Sequence, residues 1–297
     1  MPAGRFLFKA CACPHLKRIV YNFHVLTPDY LAIGHLSRDL TPQGPRLGGS
    51  VAFATLTAQA LGLRAGMVTS HGPDVDLTPL SDIACHNVPA AASTTFALEN
   101  TPHGRRLRLL HRAEPLAWEH IPAAWRRAPI IHLAPIAREI PTALALRFRG
   151  RFVGLTPQGW LRQWDATGEV TPAPWEDATA VLAVATAAVL SLEDLGGDES
   201  PAQAWAEAVP VLVVTRGSEG ATLYWQGERR HIPAPATPEV DATGAGDIFA
   251  AAFFIRLYHT RDPLEAARFA TALAAASVQR PGLEAIPTAD EIQQALP

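Results

Sequence analysis

Short runs rich in β-branched residues alternate with alanine-rich stretches of helical length from Pro28 to the end of this 297-residue chain. Such alternation is typical of a parallel sheet flanked by helices. Strands are predicted at residues 30–33, 66–69, 130–134, 152–155, 187–190 and 211–215. Helices are predicted at residues 50–61, 175–185, 201–208, 247–258, 263–278 and 289–296. The sequence therefore predicts an α/β fold with a mostly parallel central sheet.

Two segments interrupt this alternation. Residues 37–47 and 93–112 have strand-like patterns outside the predicted sheet, and Pro102-His103-Gly104 predicts a turn within the second segment. We predict that they form a small β lid over one end of the sheet. Without a repeat or a low-complexity linker, residues 28–297 are predicted to form one domain. Residues 1–27, with four basic and no acidic residues, are predicted to be an N-terminal extension without a catalytic part.

Composition limits the class of ligand. Hydrophobic residues make up 48% of the chain, and the net charge of −3 gives no basic surface for nucleic acid. The longest apolar runs are too short or too interrupted to span a membrane. The three cysteines are too few for a disulfide framework and fit a reducing compartment. We therefore expect a cytoplasmic protein that binds a small molecule, with neither nucleic acid nor membrane as a partner.

A glycine-rich loop before an apolar helix is the strongest candidate site. The run Asp241-Ala242-Thr243-Gly244-Ala245-Gly246-Asp247 precedes the mostly apolar residues 248–257. A helix that is apolar all round is buried, and its first turn offers N–H groups and a positive dipole to an anion. Asp247 is either a favourable charge at a helix start or a functional carboxylate. A buried carboxylate without a partner is costly, which favours the functional interpretation.

The distribution of lysine excludes several enzyme classes. The only lysines are Lys9 and Lys17, so the other 23 of the 25 basic residues are arginines. A Walker A loop, a protein kinase and a Schiff-base enzyme each need a lysine in the folded domain. The other interpretation of residues 241–246 is a loop that binds S-adenosylmethionine, but this run has one residue more than the D-x-G-x-G pattern of such loops. A phosphate site built from backbone amides is favoured.

Further candidate residues follow predicted strands, where open α/β sheets bind their ligands. Asp39 follows the first strand, and Gly48-Gly49-Ser50 opens the first helix with backbone that a ligand can approach. Ser191-Leu192-Glu193-Asp194 and residues 215–220 follow later strands. Each has a plain alternative as a solvated loop, a tight turn or a helix cap. Gln158-Gly159-Trp160 either lines a pocket or belongs to aromatic packing.

Taken in order, these motifs resemble the ribokinase or PfkB family of carbohydrate kinases. The strongest element is Asp241 to Asp247, which is similar to the family's D-T-x-G-A-G-D signature near the C-terminus. The pair Gly48-Gly49, the stretch Thr215 to Gly220 and the tail Arg280-Pro281-Gly282 follow the family's order. The resemblance covers residues 28 to about 288. It implies a ribokinase-like three-layer α/β fold with a β-strand lid, and ATP and Mg²⁺ as cofactors.

The resemblance also implies roles for individual residues. Asp247 would take the proton of a substrate hydroxyl, and the N–H groups of Gly244, Ala245 and Gly246 would hold the transferring phosphoryl group. Asp194 would lie near Mg²⁺ through a water molecule. Residues implied around the acceptor are Asp39, Gly48, Gly49, Ser50 and Phe53. Residues implied along the nucleotide are Ser191, Asp194, Thr215, Gly217, Gly220 and Thr243.

Two departures from the family pattern bear on substrate and metal. Phe53 stands where the family usually has an asparagine that binds a substrate hydroxyl, so we expect an acceptor that differs from ribose or fructose. Ser191 and Asp194 replace both ends of the family's N-x-x-E motif. The sequence therefore predicts an ATP-dependent kinase acting on a hydroxyl of a small sugar, nucleoside or polyol. The alternative is a kinase-like protein that binds nucleotide or sugar without catalysis. By resemblance only, a homodimer through lid strands is plausible.

Overall fold

Nine strands form one sheet in the computed structural model of the protein, which describes residues 26–101 and 104–297. The predicted N-terminal extension therefore lies almost entirely outside the described residues. In chain order the strands are β1 (Tyr30–Ile33), β2 (Ser37–Thr41), β3 (Gly44–Gly48), β4 (Ala65–His71), β5 (Ala84–Pro89), β6 (Thr94–Thr101), β7 (Gly104–His111), β8 (Ile130–Leu133), β9 (Phe152–Leu155), β10 (Arg162–Trp164), β11 (Val170–Pro172), β12 (Ala187–Ser191), β13 (Val211–Thr215), β14 (Ala221–Trp225) and β15 (Glu228–Ile232). The α-helices are α1 (Ser50–Ala60), α2 (Thr142–Ala145), α3 (Ala178–Leu182), α4 (Ser200–Ala206), α5 (Ala245–Thr260), α6 (Pro263–Ser277) and α7 (Ala289–Ala295).

The main sheet has the strand order β15-β14-β13-β12-β9-β8-β1-β4-β5. Strands β5 to β13 in this order pair in parallel, and β14 and β15 add an antiparallel hairpin at one edge. Strand β1 is buried at every residue, because alternate side chains enter cores on opposite faces of the sheet. Tyr30 and Ala32 join the core that holds α1, α5 and α6, whereas Leu31 and Ile33 join the other. The predicted α/β fold is confirmed.

A second sheet of four strands forms a lid, with the strand order β3-β2-β6-β7. Segments 37–47 and 93–112, which were expected outside the main sheet, supply these strands. The two-stranded β10–β11 hairpin reaches the lid through an antiparallel bridge between Arg108 and Glu169. A small cluster that includes Phe96, Leu109 and Ile136 joins the lid to the loop after β8. The lid therefore packs over a loop at the carboxyl end of the main sheet.

Several elements differ from the sequence predictions. The helix expected over 175–185 is shorter, spanning Ala178–Leu182. Strand β5 was missed because it has no run of buried apolar residues, most of its residues are exposed, and it ends at a proline on the sheet edge. The β14–β15 hairpin was missed because its turn is Gln226-Gly227, with both residues at positive φ, rather than one of the common glycine turns. The described residues include no helix long and apolar enough to cross a membrane.

Candidate active site

A pocket of about 300 Å³ lies at the carboxyl ends of the parallel strands, beneath the lid. Thr156 follows β9 directly, Ser191 ends β12 and Thr215 ends β13, and all three line this pocket. In a parallel α/β sheet, side chains after neighbouring strands converge on one edge. From the lid, Asp39 and the apolar side chain of Phe96 face the same space. We call this cavity the enclosed pocket.

The glycine-rich loop forms one wall of the enclosed pocket and begins α5. Gly244 is the last residue before the helix and has φ 82°, a left-handed conformation that favours glycine. The N–H of Ile248 donates to the carbonyl of Gly244 at 2.9 Å, which starts the helical hydrogen bonds. The amides of Gly246 and Asp247 belong to the first turn, where a helix has no acceptor of its own for them. This wall therefore presents N–H groups and a positive dipole end to an anion.

Asp241 fixes the start of this loop. Its carboxylate accepts the N–H of Thr243 at 2.9 Å, the N–H of Gly282 at 3.3 Å and a guanidinium hydrogen bond from Arg46 at 3.3 Å. Burial favours a higher pKa for Asp241, but these hydrogen bonds and the Arg46 charge lower its pKa overall. One carboxylate thus ties the loop to the C-terminal tail and to lid strand β3.

Phe53 supports the same loop from beneath. Its side chain is 2% exposed, and its ring lies so close to Gly244 that a Cβ atom there would come within 2.3 Å of the ring. Phe53 also lines the enclosed pocket. The ring that replaces the family's asparagine therefore packs against the glycine loop. Any side chain larger than hydrogen at position 244 would both clash and be strained.

Asp247 is half-buried, and its carboxylate faces the enclosed pocket. Burial raises the pKa of Asp247 to about 6, and the charges of Asp194 and Asp39 act in the same direction. A hydrogen bond from Ser50 and the charge of Arg162 oppose this rise. A carboxylate with this pKa is mostly ionised at neutral pH and accepts a proton more readily than an ordinary aspartate. These are the properties of a general base.

Arg162 is the only lysine or arginine among the residues that line the enclosed pocket. It begins β10, and its guanidinium donates to the carbonyl of Ile136 at 3.2 Å and lies over the ring of Phe96 at 5.7 Å. Burial lowers the pKa of Arg162, whereas the carboxylates of Asp194 and Asp247 oppose this. An arginine remains a cation in proteins even so. The pocket therefore holds one positive side chain facing its acidic groups.

A buried carboxylate holds the loops around Arg162. Glu139 is fully buried and accepts the N–H groups of His35, Ile136 and Ala137 at 2.7 to 3.1 Å. These hydrogen bonds join the loop after β1 to the loop after β8. Because Ile136 also accepts the guanidinium of Arg162, the cation is anchored to a rigid segment.

The residues implied around the acceptor fall into two groups. Asp39, Gly49, Ser50 and Phe53 line the enclosed pocket, whereas Gly48 does not. Gly48 instead makes room for Asp39, because a Cβ atom on Gly48 would lie 2.2 Å from an Asp39 carboxylate oxygen. Gly49 has φ 94°, and a Cβ atom there would meet the carbonyl of His35 at 2.4 Å. Gly48 thus leaves space for side chains of β2, and Gly49 lets the loop after β1 pass close to it.

An apolar groove of about 550 Å³ adjoins the enclosed pocket. Its lining includes Pro235 and Phe249 and the α6 face around Ala275. Five residues line both cavities: Ser191, Glu193, Thr215, Ala242 and Gly246. Of the residues implied along the nucleotide, Ser191, Thr215, Gly217 and Gly220 line this groove, whereas Asp194 and Thr243 line only the enclosed pocket. Ala245, from the predicted anion hole, also faces the groove.

Asp194 is held in place by hydrogen bonds. Its carboxylate accepts the N–H of Ser191 at 2.9 Å and the side-chain amide of Gln158 at 3.2 Å, and its own N–H donates to the Ser191 hydroxyl at 3.0 Å. Serine and aspartate thus form a reciprocal pair at the two changed positions of the family motif. Gln158, which the sequence left between pocket and packing, lines the enclosed pocket. Its neighbour Trp160 is buried and stacks on Trp175 instead.

The carboxylates near the glycine loop fit a magnesium ion carried by phosphate. The described residues contain no group of three or more His, Cys, Asp or Glu side chains that could hold a metal by themselves. Mg²⁺ in phosphate sites usually takes one or two carboxylates and completes its shell with phosphate oxygens and water. Glu193 and Asp194 both line the enclosed pocket and meet this requirement.

Sequence reasoning missed two functional candidates. Arg162 lies in a stretch without a motif. Because lysine is scarce in this chain, an arginine near a strand end was a signal that pointed to a cation of the site. Thr156 follows β9 directly and lines the enclosed pocket, so the position rule that selected Ser191 and Thr215 could also have found it.

The part of the chain that builds this site is similar to known proteins. The family model for pfkB family carbohydrate kinases matches residues 177–289, which contain β12, β13 and the glycine-rich loop. In this part the chain is similar to the PfkB family of carbohydrate kinases. The predicted resemblance to this family is confirmed. The similarity to solved structures extends over most of the fold and not only over one motif.

Three known proteins are similar to this chain over most of its length. The inositol 3-kinase of Zea mays is 26% identical over 85% of this chain and 73% of its own. A pyrophosphate-dependent kinase in the ribokinase family, solved with a pyrophosphate analog and myo-inositol, has a TM-score of 0.76 and 19% identity over 90% of this chain and 100% of its own. Arabidopsis thaliana ribokinase, solved with ribose and ATP, has a TM-score of 0.70 and 21% identity over 91% of this chain and 99% of its own. Two other curated relatives align over only 21% of their own length.

Proposed function

We propose that this protein is an ATP-dependent kinase that transfers the γ-phosphoryl group to a hydroxyl of a small sugar, nucleoside or polyol. One observation carries the proposal. The Asp247 carboxylate stands in the first turn of α5, at the junction of an enclosed polar pocket and an apolar groove that share Thr215 and Gly246 as walls. An acceptor in the pocket and a nucleotide in the groove would meet at this helix start.

The chemistry needs a base and a place for negative charge. Asp247 takes the proton of the acceptor hydroxyl, and its raised pKa of about 6 suits a base at neutral pH. The amides of Gly246 and Asp247 in the first turn of α5 receive the charge that spreads over the transferring phosphoryl oxygens, whereas the Ala245 N–H already donates to the carbonyl of Ala242 at 3.2 Å. Arg162 adds a cation on the acceptor side of the same space. Mg²⁺, held through Glu193 and Asp194 and the donor phosphates, would supply further charge neutralisation.

The apolar groove supports a nucleotide donor over inorganic pyrophosphate. Its volume of about 550 Å³ and the apolar face formed by Pro235, Phe249 and Ala275 suit a purine ring, which pyrophosphate lacks. The family includes both donors, because one solved relative is named as pyrophosphate-dependent and another was solved with ATP. The two donors therefore become two arms of the test.

The enclosed pocket supports a ring-shaped polyol as the acceptor. Asp39, Ser37 and Gln158 offer polar groups on one side, while Phe96 and Leu98 of the lid offer an apolar face on another. A cyclic polyol has hydroxyls at its rim and C–H groups on its faces, so it matches this division. Inositol is the first acceptor to test, since one relative is an inositol 3-kinase and one was solved with myo-inositol.

The test is donor turnover over a panel of inositols, hexoses, pentoses and nucleosides, with ATP and with pyrophosphate. Wild type should transfer phosphate from ATP to at least one acceptor, and Asp247→Asn should lose about 10²- to 10⁴-fold in kcat. Asp165→Asn changes an exposed aspartate outside both cavities and should keep wild-type turnover. Equal turnover by wild type and Asp247→Asn would refute the base. ATP binding without transfer to any acceptor would favour the silent alternative.

A cytoplasmic location and a homodimer remain proposals. The edges of the lid sheet, β3 and β7, are the surfaces on which a second copy could pair. Light scattering of the purified protein would decide its oligomeric state.

A further inference from the structure

A chain of hydrogen bonds leads from the core to the wall of the enclosed pocket. The Tyr30 hydroxyl lies 2.6 Å from Nδ1 of His132, and Nε2 of His132 lies 3.0 Å from the Thr156 hydroxyl. Tyr30 and His132 are fully buried, whereas Thr156 lines the pocket. The three residues belong to or directly follow the adjacent strands β1, β8 and β9. The arrangement is therefore built into the sheet.

Neighbouring packing holds the His132 ring in one orientation. Phe254 of α5 packs edge-on against it, with ring centroids 5.0 Å apart. Gly154, paired with His132 across β8 and β9, leaves the space for Phe254, because a Cβ atom there would come within 2.5 Å of the phenylalanine ring. Burial also lowers the pKa of His132 to about 3, so the imidazole is neutral at physiological pH. A neutral imidazole has one donor nitrogen and one acceptor nitrogen.

Hydrogen-bond accounting selects one direction for the chain. If Nδ1 carried the proton, it would donate to Tyr30, and the tyrosine O–H would have no acceptor among the described residues. A buried donor without a partner is costly. If Tyr30 donates to Nδ1 instead, Nε2 carries the proton and donates to the Thr156 oxygen. The Tyr30 hydroxyl and both ring nitrogens of His132 are then paired, and the one hydrogen of the chain left without an acceptor among the described residues is that of the Thr156 hydroxyl, which lines the pocket.

We propose that Thr156 determines acceptor specificity. Its hydroxyl oxygen accepts the Nε2–H of His132, and its hydroxyl hydrogen is donated to one oxygen of the acceptor molecule. This inference rests on the proposed kinase function and deepens it. Thr156 lines the enclosed pocket and not the apolar groove, so its partner is on the acceptor rather than on the nucleotide. The partner atom must accept a hydrogen bond. A C–H group at this place leaves a buried hydroxyl hydrogen unpaired and is selected against.

A spectroscopic experiment tests the direction of the chain without any activity. Proton–nitrogen correlation spectra of the ¹⁵N-histidine-labelled protein, assigned with His132→Gln, report which ring nitrogen carries the proton. We expect protonated Nε2 and unprotonated Nδ1 for His132 from pH 6 to 8. Protonated Nδ1, or a charged ring, would overturn the proposal, since Thr156 would then face the pocket as an acceptor or lose its fixed direction.

A kinetic experiment tests what Thr156 contacts. Thr156→Val removes the hydroxyl at nearly constant volume and should raise the acceptor KM about tenfold, leaving the ATP KM unchanged. Thr156→Ser keeps the hydroxyl and should restore most of the affinity. Thr55→Val is the matched control, because Thr55 is also buried but bonds to the carbonyl of Val51 within its own helix. It should leave both KM values unchanged.

Acceptor analogues then identify the oxygen. For one position of the acceptor, replacing the hydroxyl with hydrogen should raise the wild-type KM and abolish the difference between wild type and Thr156→Val. Replacing it with fluorine, which accepts hydrogen bonds weakly but donates none, should be less harmful than hydrogen. A Thr156→Val penalty that persists with every deoxy analogue would overturn the proposal.

The two proposals fail in different ways. Unchanged acceptor KM in Thr156→Val, in an enzyme that still phosphorylates the acceptor, overturns the inference about Thr156 alone. Failure of wild type to phosphorylate any acceptor overturns the proposed function and the acceptor contact with it, while the proton on His132 still reports the direction of the hydrogen-bond chain.

Discussion

The two cavities that meet at the start of α5 differ in how they can recognise a ligand. The enclosed pocket, about 300 Å³, carries Asp39, Asp194, Asp247 and Arg162. The apolar groove, about 550 Å³, is lined mainly by small apolar side chains and glycine-rich backbone, with the charged residues Glu193, Arg216, Glu219 and Glu239 also in its lining. Directional polar groups discriminate strongly between ligands, whereas an apolar wall mainly reads size and shape. On the proposed function, the reacting groups lie in the smaller cavity.

Of the four effects predicted here, the loss of kcat in Arg162→Gln should be the largest. Loss of the cation that faces Asp247 should reduce kcat about 10²- to 10³-fold, in the range seen when one preorganised charge-stabilising donor is removed. The Arg162 charge lowers the pKa of Asp247, so its loss should raise that pKa. The acidic limb of kcat/KM, expected near pH 6 in wild type, should therefore move to higher pH. Arg162→Lys should keep the limb in place.

Arg112→Gln provides the control for Arg162, because Arg112 is an exposed arginine outside both cavities. It should leave kcat and the pH profile unchanged. A lower kcat in Arg162→Gln with an unmoved acidic limb would contradict an electrostatic role and indicate loss of packing against Phe96.

Phe53→Ala tests the wall beneath the glycine loop. Removing this buried ring should lower the free energy of unfolding by about 3 kcal/mol and leave a cavity against Gly244. Because Ala242 and Gly246 of the same loop border both cavities, kcat should fall about 10- to 100-fold and both KM values should rise. Chemical denaturation and steady-state kinetics measure the two effects.

Phe53→Leu fills most of the same volume and should lose less than half as much stability. A change confined to the acceptor KM in Phe53→Ala would show that Phe53 acts as an acceptor contact rather than as a support of the loop.

Ala275→Trp tests the other side of the comparison. Ala275 lines the apolar groove from α6, and an indole there should compete with the purine for space. We expect the ATP KM to rise at least tenfold, with the acceptor KM unchanged. Ala272→Trp, one turn earlier and outside the groove, is the control. An unchanged ATP KM in Ala275→Trp would show that the purine does not occupy this groove, and would favour pyrophosphate as the donor.

The sequence predicted the main fold because its signals are local. Strands β1, β9 and β13 were predicted to the residue, since each is a short apolar run between turns. Strand β5 was not predictable in this way. Most of its residues are exposed and they show no apolar periodicity, and the strand exists because its backbone pairs with β4 at the sheet edge.

The site was predictable where it is local and not where it is assembled. Residues 241–247 form one turn of chain, so their role could be read from adjacent residues. Arg162 acquires its importance from a hairpin, a carbonyl on another loop and a ring on the lid. Phe53 was predicted as a wall toward the acceptor, but its close packing against Gly244 joins residues 191 positions apart. Such contacts are set by tertiary structure and leave no periodic signal.

The change in stability caused by Asp247→Asn should be the smallest of the four effects, and it measures the free energy of unfolding that is lost by keeping a charge in the pocket. The pKa of Asp247 is raised from 3.8 to about 6 by folding, so the ionised form is disfavoured in the folded state. The penalty is absent below about pH 3.8, grows between pH 4 and 6, and is complete above pH 6. Neutral asparagine avoids it, and should stabilise the fold by about 1–3 kcal/mol at pH 7.5, less where pocket water screens the charge.

The gain should appear as a melting temperature a few degrees higher at pH 7.5 and should vanish at pH 4. Asp165→Asn should behave in the opposite way, because the hydrogen bonds from Thr167 and Glu169 lower the pKa of Asp165 and stabilise its ionised form in the fold. If Asp247→Asn instead lowered the melting temperature at pH 7.5, the ionised carboxylate would be stabilising the start of α5 as a structural helix cap. A stabilised but inactive Asp247→Asn variant would show that this charge is retained for chemistry at the expense of stability.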